Sequence, residues 1–217
     1  MPDMFSITDR TRLVREAHRA VYDRQAIYKI LDEGLVCHVG FTAGSQPYAI
    51  PTMYARIRDA IYFHGSAASR MLRGLSGGLP VCITVTLTDG LVLARSVFNH
   101  SMNYRSVVAI GNATLIDDPS EKLLALEAFT EKLIPGRWND ARQPNERELK
   151  STSILNLPLQ EVSAKVRTGD VEDDTDDFTL PVWAGVIPIR LVPDAPIRDP
   201  RCDPSIPTPS YAAKYRR

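Results

Sequence analysis

Cysteine is scarce in this sequence, which has three in 217 residues. So small and odd a number does not make a disulfide framework, and Cys37 and Cys82 both lie in apolar runs where a small buried thiol fits. A net charge is also lacking, because 26 basic side chains balance 26 acidic ones. The chain therefore has no overall field that would attract nucleic acid or a cationic partner, and any anion site must be local.

Long apolar runs are absent as well. No segment approaches the roughly 18 consecutive apolar residues of a membrane span. The N-terminus, MPDMFSITDR, is charged from the start and does not have the pattern of a secretion signal. We expect a cytoplasmic protein.

Motifs for nucleotides, metals and acyl transfer are missing or fail. Neither the G-x-G-x-x-G of a Rossmann site nor a P-loop occurs, and the four histidines are scattered without the spacing of metal ligands. Gly74 to Gly78 match G-x-S-x-G but follow a predicted helix, so a helix-ending turn is the better interpretation than a nucleophile elbow. The acidic run at 172–177 is more simply a solvated loop than a cation site.

Hydrophobic periodicity predicts a short helical region followed by strands. Residues 10–33 predict one N-terminal helix that ends before Gly34. Strands are predicted at 35–41, 47–57 and 60–64, followed by a helix that closes at Gly74 to Gly78.

The second half of the chain continues this pattern. Runs at 80–87 and 91–98 flank Thr88-Asp89-Gly90, which predicts a hairpin turn. Further strands are predicted at 104–116, with Gly111 as a bulge or bend, and at 155–167. A helix is predicted from Asp118-Pro119-Ser120 to Leu133.

About six antiparallel strands with flanking helices predict a mainly β (α+β) fold, with the pattern of a small closed barrel. We divide the chain into an N-terminal helical segment (1–33), a barrel domain (34–192) and a proline-rich C-terminal arm (193–217). The arm either lies on a partner or is disordered.

The stretch from Tyr62 to Arg73, YFHGSAASRMLR, is the strongest local candidate for a site. Alternation places Tyr62 and His64 on one face of a strand and Phe63 on the other, and Gly65 allows a close backbone approach. Ser66 is expected to cap the helix, so that Ser66, Ser69 and Arg70 converge on a phosphate. The alternative is an ordinary capped helix with an exposed arginine.

A second polar cluster, SMNYRSVV (101–108), begins the predicted strand at 104–116. Strand alternation places Asn103 and Arg105 on one face and Tyr104 and Ser106 on the other, so one pair could line a cleft. The alternative is a surface edge with a packed tyrosine.

These blocks resemble the flavin-binding split β-barrels related to pyridoxamine 5'-phosphate oxidase, in the branch that includes nitroimidazole-resistance (Nim) proteins. The resemblance is carried, in order, by PYAIPTMY, IYFHGSAASRMLR, PVCITVTLTDGLVLARS, HSMNYRSVV, SAKVR and LPVWAGVIPI. It implies a six-stranded antiparallel split β-barrel and an FMN-binding homodimer with cofactor sites at the subunit interface.

The resemblance also implies roles for individual residues. The cofactor-binding segment would run from His64 and Gly65 to Arg70. Within it, Ser66, Ser69 and Arg70 would hold the FMN phosphate, with Arg73 as an auxiliary. The strand along the isoalloxazine ring would be formed by Ile50, Pro51, Thr52 and Tyr54. Tyr104, Arg105, Ser106 and Trp183 would lie beside the cofactor, with Lys165 and Arg167 as nearby cations by analogy.

The expected activity is that of a flavin-dependent oxidoreductase that takes electrons from NAD(P)H and reduces a small organic substrate of nitroaromatic type. His64 would transfer a proton, or would only be a satisfied strand histidine. The alternative is a protein that binds or stores a flavin, or FAD, a deazaflavin or haem, without turnover. The tail, DPRCDPSIPTPSYAAKYRR, lacks the substrate-binding pattern of the true oxidases, so vitamin B6 oxidation is not expected.

Overall fold

The structure, a computed structural model, describes residues 3–216, so the outermost ends of the predicted N-terminal segment and C-terminal arm lie outside it. The described residues form five α-helices: α1 (Arg24–Glu33), α2 (Arg70–Ser76), α3 (Pro119–Leu133), α4 (Glu146–Ser151) and α5 (Ser210–Ala213). The first strands are β1 (Ala20–Val21), β2 (Val36–Ala43), β3 (Gln46–Ile57), β4 (Ala60–Ser66) and β5 (Pro80–Leu93). The later strands are β6 (Ser101–Asn112), β7 (Thr114–Leu115), β8 (Thr152–Pro158), β9 (Glu161–Arg167) and β10 (Gly185–Pro188).

The strands form one antiparallel sheet in the order β1-β9-β6-β5-β2-β3-β4-β8-β7, and β10 pairs with β5. This confirms the predicted mainly β split-barrel class. The prediction of a closed barrel is wrong, because the strand order ends at β1 and β7, and these two strands do not pair with each other. The sheet splits at β3, whose residues 46–53 pair with β2 and whose residues 54–57 pair with β4.

The larger core fills the space between the sheet, α1 and α2. The predicted helix face of Ile27, Ile30 and Leu31 is fully buried there. The same helix is shorter than predicted, since the side chain of Asp23 caps it by accepting a bond from the Ala26 amide at 2.8 Å. The residues that precede this helix are held by hydrogen bonds between distant parts of the segment. For example, the Tyr22 hydroxyl donates to the Thr11 carbonyl at 3.0 Å.

A smaller core lies between α3 and the β3–β4 face. Tyr62, Ala125, Phe129 and Ile154 are buried together in it. The predicted start of this helix is confirmed, because the Asp118 carboxylate accepts the Glu121 amide at 2.8 Å. Phe63 points the opposite way, into the larger core, as the alternation predicted.

The hairpin turn predicted at Asp89-Gly90 is wrong. Strand β5 runs straight through it, with a register shift between Thr88 and Gly90 that leaves Asp89 as a bulge. Glycine is required by space here, since a Cβ on Gly90 would lie 3.1 Å from Val186 Cγ1 of the neighbouring β10. The chain instead reverses through residues 94–100.

Other boundaries also differ from the sequence-based prediction. The run at 155–167 divides into β8 and β9, which pair with different strands, β4 and β6. Gly111 pairs regularly with Val81, and the break in the 104–116 strand comes at Ala113 instead. A close contact again accounts for a glycine at this position, because a Cβ on Gly111 would lie 3.0 Å from Leu157 Cδ1.

The acidic run and the C-terminal arm are both tied to the rest of the chain. The carboxylate of Asp173 is buried rather than solvated, because it accepts bonds from the Arg95 amide at 3.0 Å and from Arg95 Nη1 at 2.9 Å. The arm folds back on its own chain, where Arg137 Nη1 donates to the Tyr211 hydroxyl at 2.9 Å. No helix within residues 3–216 is long and apolar enough to cross a membrane.

Candidate functional site

Residues of four elements, β2, β3, β4 and α2, meet at a corner that we call the Arg70 corner (Phe41, Tyr48, Ser66, Ser69 and Arg70). Arg70 Nη1 donates to the Tyr48 hydroxyl at 2.8 Å, and the Tyr48 ring is stacked on Phe41 with centroids 5.3 Å apart. Within residues 3–216, Arg70 makes no ion pair with a carboxylate. The corner therefore presents a positioned cation without a counter-charge.

The local chain path at this corner differs from the prediction. Ser66 is the last residue of β4, where it pairs with Thr152, so it does not cap α2. Ser69 occupies the N-cap position instead, and its side chain makes no capping bond. The Ser66 hydroxyl accepts a bond from the Ala68 amide at 3.2 Å, so the serines and Arg70 lie in one tight turn. Gly65 is explained by packing, because its Cβ would lie 3.1 Å from Leu72 Cδ1.

The predicted ring-side residues of β3 fall on two faces of the sheet. Ile50 packs against the larger core, and Thr52 is half-buried. Pro51 is exposed on the outer face. Tyr54 is completely buried, and its hydroxyl donates to the Leu31 carbonyl at 2.5 Å, so the structure places it in the core of this chain.

The polar cluster on β6 lies three strands away from β3 in the sheet order. Arg105 forms ion pairs with both Asp89 and Glu33, and these hydrogen bonds raise the pKa of Arg105 above its ordinary value. The same guanidinium lowers the pKa of Glu33. Tyr104 and Ser106 are half-buried on the other face, and the Ser106 hydroxyl donates to the Lys165 carbonyl at 3.3 Å.

The remaining predicted residues are also dispersed. Arg167 is buried, where Nη1 donates to Asn103 Oδ1 and Nη2 to the Asp170 carbonyl at 3.3 Å. Trp183 is 66% exposed and lies over Gly185. Arg73 is an exposed residue of α2. The structure thus places the predicted phosphate-binding residues in one turn but leaves the β6 cluster and Trp183 apart from them within one chain.

His64 lines a different feature, a cleft of about 460 Å³ between β4, α3 and residues 134–144, which we call the His64 cleft. Its ring lies 4.5 Å from the Phe129 ring, and Met53 and Leu126 extend the apolar wall. Arg137 and Arg142 stand at its polar side. Glu148 also lines the cleft and pairs with Arg142 at 2.7 Å, so the cleft combines an apolar body with a charged rim of both signs.

The imidazole of His64 is unusual in its surroundings. Its Nδ1 is buried and has no hydrogen-bond partner within residues 3–216. Burial lowers the pKa of His64, because the charged form loses hydration without gaining a partner. The ring is therefore neutral near pH 7, which is the form that binds a metal or accepts a proton.

Sequence reasoning missed Tyr48 and the far wall of the His64 cleft. Tyr48 contacts Arg70, which lies 22 positions later in the chain. Phe129, on α3, contacts His64, and no sequence motif relates these two residues. The one feature of the sequence that could have indicated a role for Tyr48 is its aromatic side chain. An aromatic side chain alone does not distinguish a core residue from a residue that contacts a ligand.

The chain matches a known family over well over half its length. The model of the pyridoxamine 5'-phosphate oxidase family covers residues 23–166. The chain therefore belongs to the pyridoxamine 5'-phosphate oxidase family, as the sequence blocks predicted. A search among curated proteins finds no match.

Solved structures extend the likeness beyond the family model. The flavocytochrome Anf3 from Azotobacter vinelandii is 41% identical with a TM-score of 0.91, over 96% of this chain and 97% of that chain. The FAD and haem binding protein from Mycobacterium smegmatis is 31% identical with a TM-score of 0.87, over 91% and 97%. A protein assigned to 5-nitroimidazole antibiotic resistance, from Bacteroides thetaiotaomicron, shares the fold at 24% identity and a TM-score of 0.56, over 68% and 86%.

The ion pairs of Arg105 predict a pH dependence of stability. Glu33 has a folded pKa below its ordinary value of 4.5, so the stability it contributes is present above about pH 4.5 and is lost as the pH falls through the folded pKa. Arg105→Gln should therefore be less stable than the parent at pH 7, and the difference should shrink toward pH 3. Denaturant unfolding at both pH values measures it, with the exposed Arg147→Gln as control. A difference that stays constant with pH would contradict the assignment.

Proposed function

We propose that this protein binds a flavin nucleotide at the Arg70 corner and acts in electron transfer. The observation that carries the proposal is the Arg70 guanidinium, which is held by Tyr48 and lacks a carboxylate partner within residues 3–216. An uncompensated cation beside two serine hydroxyls is suited to a phosphate monoester or diester. The ribityl phosphate common to FMN and FAD is such a group.

The choice between FMN and FAD concerns what lies beyond that phosphate. FMN is the cofactor implied by the sequence resemblance, whereas the Mycobacterium smegmatis relative is described as binding FAD. The exposed position of Arg70 accommodates either, because nothing in the described chain encloses the corner. Extraction of the bound flavin from purified protein and its chromatographic identification separates the two.

A bound flavin would supply hydride and single-electron transfer. The protein's own residues would bind its phosphate through Arg70, position that arginine through Tyr48 and place β3 beside the ring. We propose an oxidoreductase with NAD(P)H as donor. Nitroaromatic reduction draws support only from a shared fold, since the nitroimidazole-related structure is 24% identical. Lack of NAD(P)H oxidation by the flavin-loaded protein would favour the storage alternative.

A second cofactor, haem, is favoured by the His64 cleft. The neutral, partly buried imidazole would be suited to hold a haem iron, and the apolar walls at Phe129 and Leu126 would suit a porphyrin. Arg137 at the rim, whose Nε and Nη2 make no hydrogen bond within residues 3–216, suits a propionate, whereas Arg142 is paired with Glu148. Two relatives that match nearly the whole chain are described, one as a flavocytochrome and the other as binding FAD and haem.

The residues present fit this group, so a bound haem would supply one-electron chemistry in this cleft. His64 would hold the iron, and Arg137 would hold a carboxylate at the rim. His64 and Ser66 are two residues apart on β4, a span of about 6.6 Å. The two proposed cofactors would therefore share one strand.

Assembly as a homodimer, expected from the family resemblance, is our proposal for the exposed apolar residues. Val97 and Phe98 are 87% and 92% exposed in the β5–β6 connection, and Trp183 is 66% exposed. A contact between two copies would cover such side chains and would bring a partner's β6 cluster or Trp183 to the flavin. A cytoplasmic location stays a prediction.

Removal of the proposed phosphate ligand tests the flavin site. Arg70→Ala should weaken FMN binding by about 1.5 to 3 kcal/mol, the range for hydrogen bonds to charged groups. Binding of riboflavin, which has no phosphate, should not change. Fluorescence titration measures both, with Arg147→Ala as a matched control. Parental FMN affinity in Arg70→Ala would remove the proposed phosphate site.

The haem proposal predicts a specific dependence on His64. The parent protein should bind added haemin with a sharpened, shifted Soret band, and His64→Ala should lose this spectrum because the iron loses its ligand. His38→Ala, which changes an exposed histidine on β2, is the control. FMN titration of His64→Ala should remain normal. An unchanged Soret spectrum in His64→Ala would exclude this ligand.

The dimer proposal predicts that a charge at the β5–β6 connection breaks the contact. Phe98→Asp should sediment as a monomer while the parent sediments as a dimer, because burial of an unpaired carboxylate is costly. Its flavin affinity should also fall if the two chains share each site. Leu124→Asp, at a half-exposed position on α3, is the control. A monomeric parent, or a dimeric Phe98→Asp, would contradict the proposal.

A further inference from the structure

The C-terminal segment (residues 193–216) reaches the rim of the His64 cleft. It packs on residues 134–140, which follow α3, and leaves a groove of about 670 Å³ between them. Ile134 and Arg137 line both this groove and the cleft. A side chain that touches the segment is therefore part of the cleft wall.

Tyr211 of α5 makes the polar contact between the two features. Its hydroxyl accepts a bond from Arg137 Nη1 at 2.9 Å and donates to Asp140 Oδ2, and Arg137 Nη1 also lies 3.2 Å from Asp140. A tyrosine hydroxyl that donates one hydrogen bond and accepts another has a fixed orientation of its O–H group. The three groups form a closed triangle that holds one nitrogen of the arginine.

The rest of the Arg137 guanidinium remains available. Within residues 3–216 the side-chain hydrogen bonds of Arg137 are all made by Nη1, which leaves Nε and Nη2 for a carboxylate. Arg137 is 46% exposed, so without the triangle its long side chain would sample many rotamers. A guanidinium fixed in advance loses less entropy when it binds a planar anion.

The surrounding loop is already held by other bonds. The Glu131 carboxylate accepts from the Gly136 amide at 2.6 Å and from the Trp138 amide at 2.9 Å, and these bonds lower the pKa of Glu131. Loss of the Tyr211 hydroxyl would therefore leave the Arg137 side chain held by Asp140 alone, at 3.2 Å, while the backbone around it stays in place. Tyr211 is thus separable from the loop it contacts.

We propose that Tyr211 is a positioning residue, through which docking of the C-terminal segment fixes Arg137 and raises the affinity of the His64 cleft for a carboxylate-bearing apolar ligand. This inference rests on the proposed haem function. It also assigns a role to the proline-rich arm, which the sequence left open between a partner contact and disorder.

The test compares Tyr211→Phe with the parent by absorption titration with haemin and with haemin dimethyl ester, which lacks free carboxylates. Tyr211→Phe should bind haemin about threefold to tenfold more weakly, the loss expected for one hydrogen bond. The affinity for the dimethyl ester should be unchanged. In an Arg137→Gln background, Tyr211→Phe should have no further effect on haemin affinity, because the two changes act through one group.

Tyr28→Phe provides a matched control. The Tyr28 hydroxyl also lies between an arginine and an aspartate, accepting from Arg24 Nη1 at 3.1 Å and donating to Asp59, but on α1. The Tyr28→Phe substitution should lower the melting temperature without changing haemin affinity.

Three outcomes would overturn the inference. Equal losses for haemin and its ester would show that the hydroxyl only supports the wall, and parental haemin affinity in Tyr211→Phe would show that it does nothing for the ligand. Failure of the parent itself to bind haemin would overturn the haem proposal and the ligand class together.

Discussion

The hydrogen bonds of β3 to two different partners hold the candidate site together. Residues 46–53 pair with β2 and residues 54–57 pair with β4, so this strand joins the two halves of the split sheet. Tyr48, from its first part, reaches Arg70, and Met53, at the switch, lines the His64 cleft. A slip of one residue in this register would turn Tyr54 out of the core and reverse every face of the strand.

Charge compensation distinguishes Arg70 from the arginines on the β6 side of the sheet. Arg105 is neutralised by Asp89 and Glu33, and Arg167 is enclosed by Asn103 and a backbone carbonyl. An arginine already satisfied in this way gains little from a phosphate, because it would first have to leave its partners. Arg70 differs, since its described partner is a neutral hydroxyl that directs the guanidinium without cancelling its charge. The local electrostatics therefore favour the Arg70 corner over the β6 cluster as the anion site of a single chain.

Strand β4 and helix α3 relate the two proposed cofactor positions. Tyr62 and His64 face α3, and β4 then ends at Ser66 in the turn that leads to Arg70. Residues after α3 form the rim of the cleft and also receive the C-terminal segment. One strand thus contacts both sites, and a distant part of the chain contacts only one of them. In this arrangement the described residues of the terminal segment contact the rim of the His64 cleft and do not contact the Arg70 corner.

The sequence by itself determined the family, the antiparallel strand pattern, the start of α3 and the buried face of α1, because local periodicity, capping residues and long matching blocks are all readable along the chain. It also located Ser66, Ser69 and Arg70 within one turn. Only the tertiary structure decided which of the predicted residues are near each other. Asp89-Gly90 became a bulge because β10 packs against it, Tyr54 entered the core, and Arg105 was neutralised by Glu33 from another element. The contacts of Tyr48 with Arg70, Phe129 with His64 and Tyr211 with Arg137 span 22 to 74 positions, and such contacts depend on strand register and packing rather than on any local pattern.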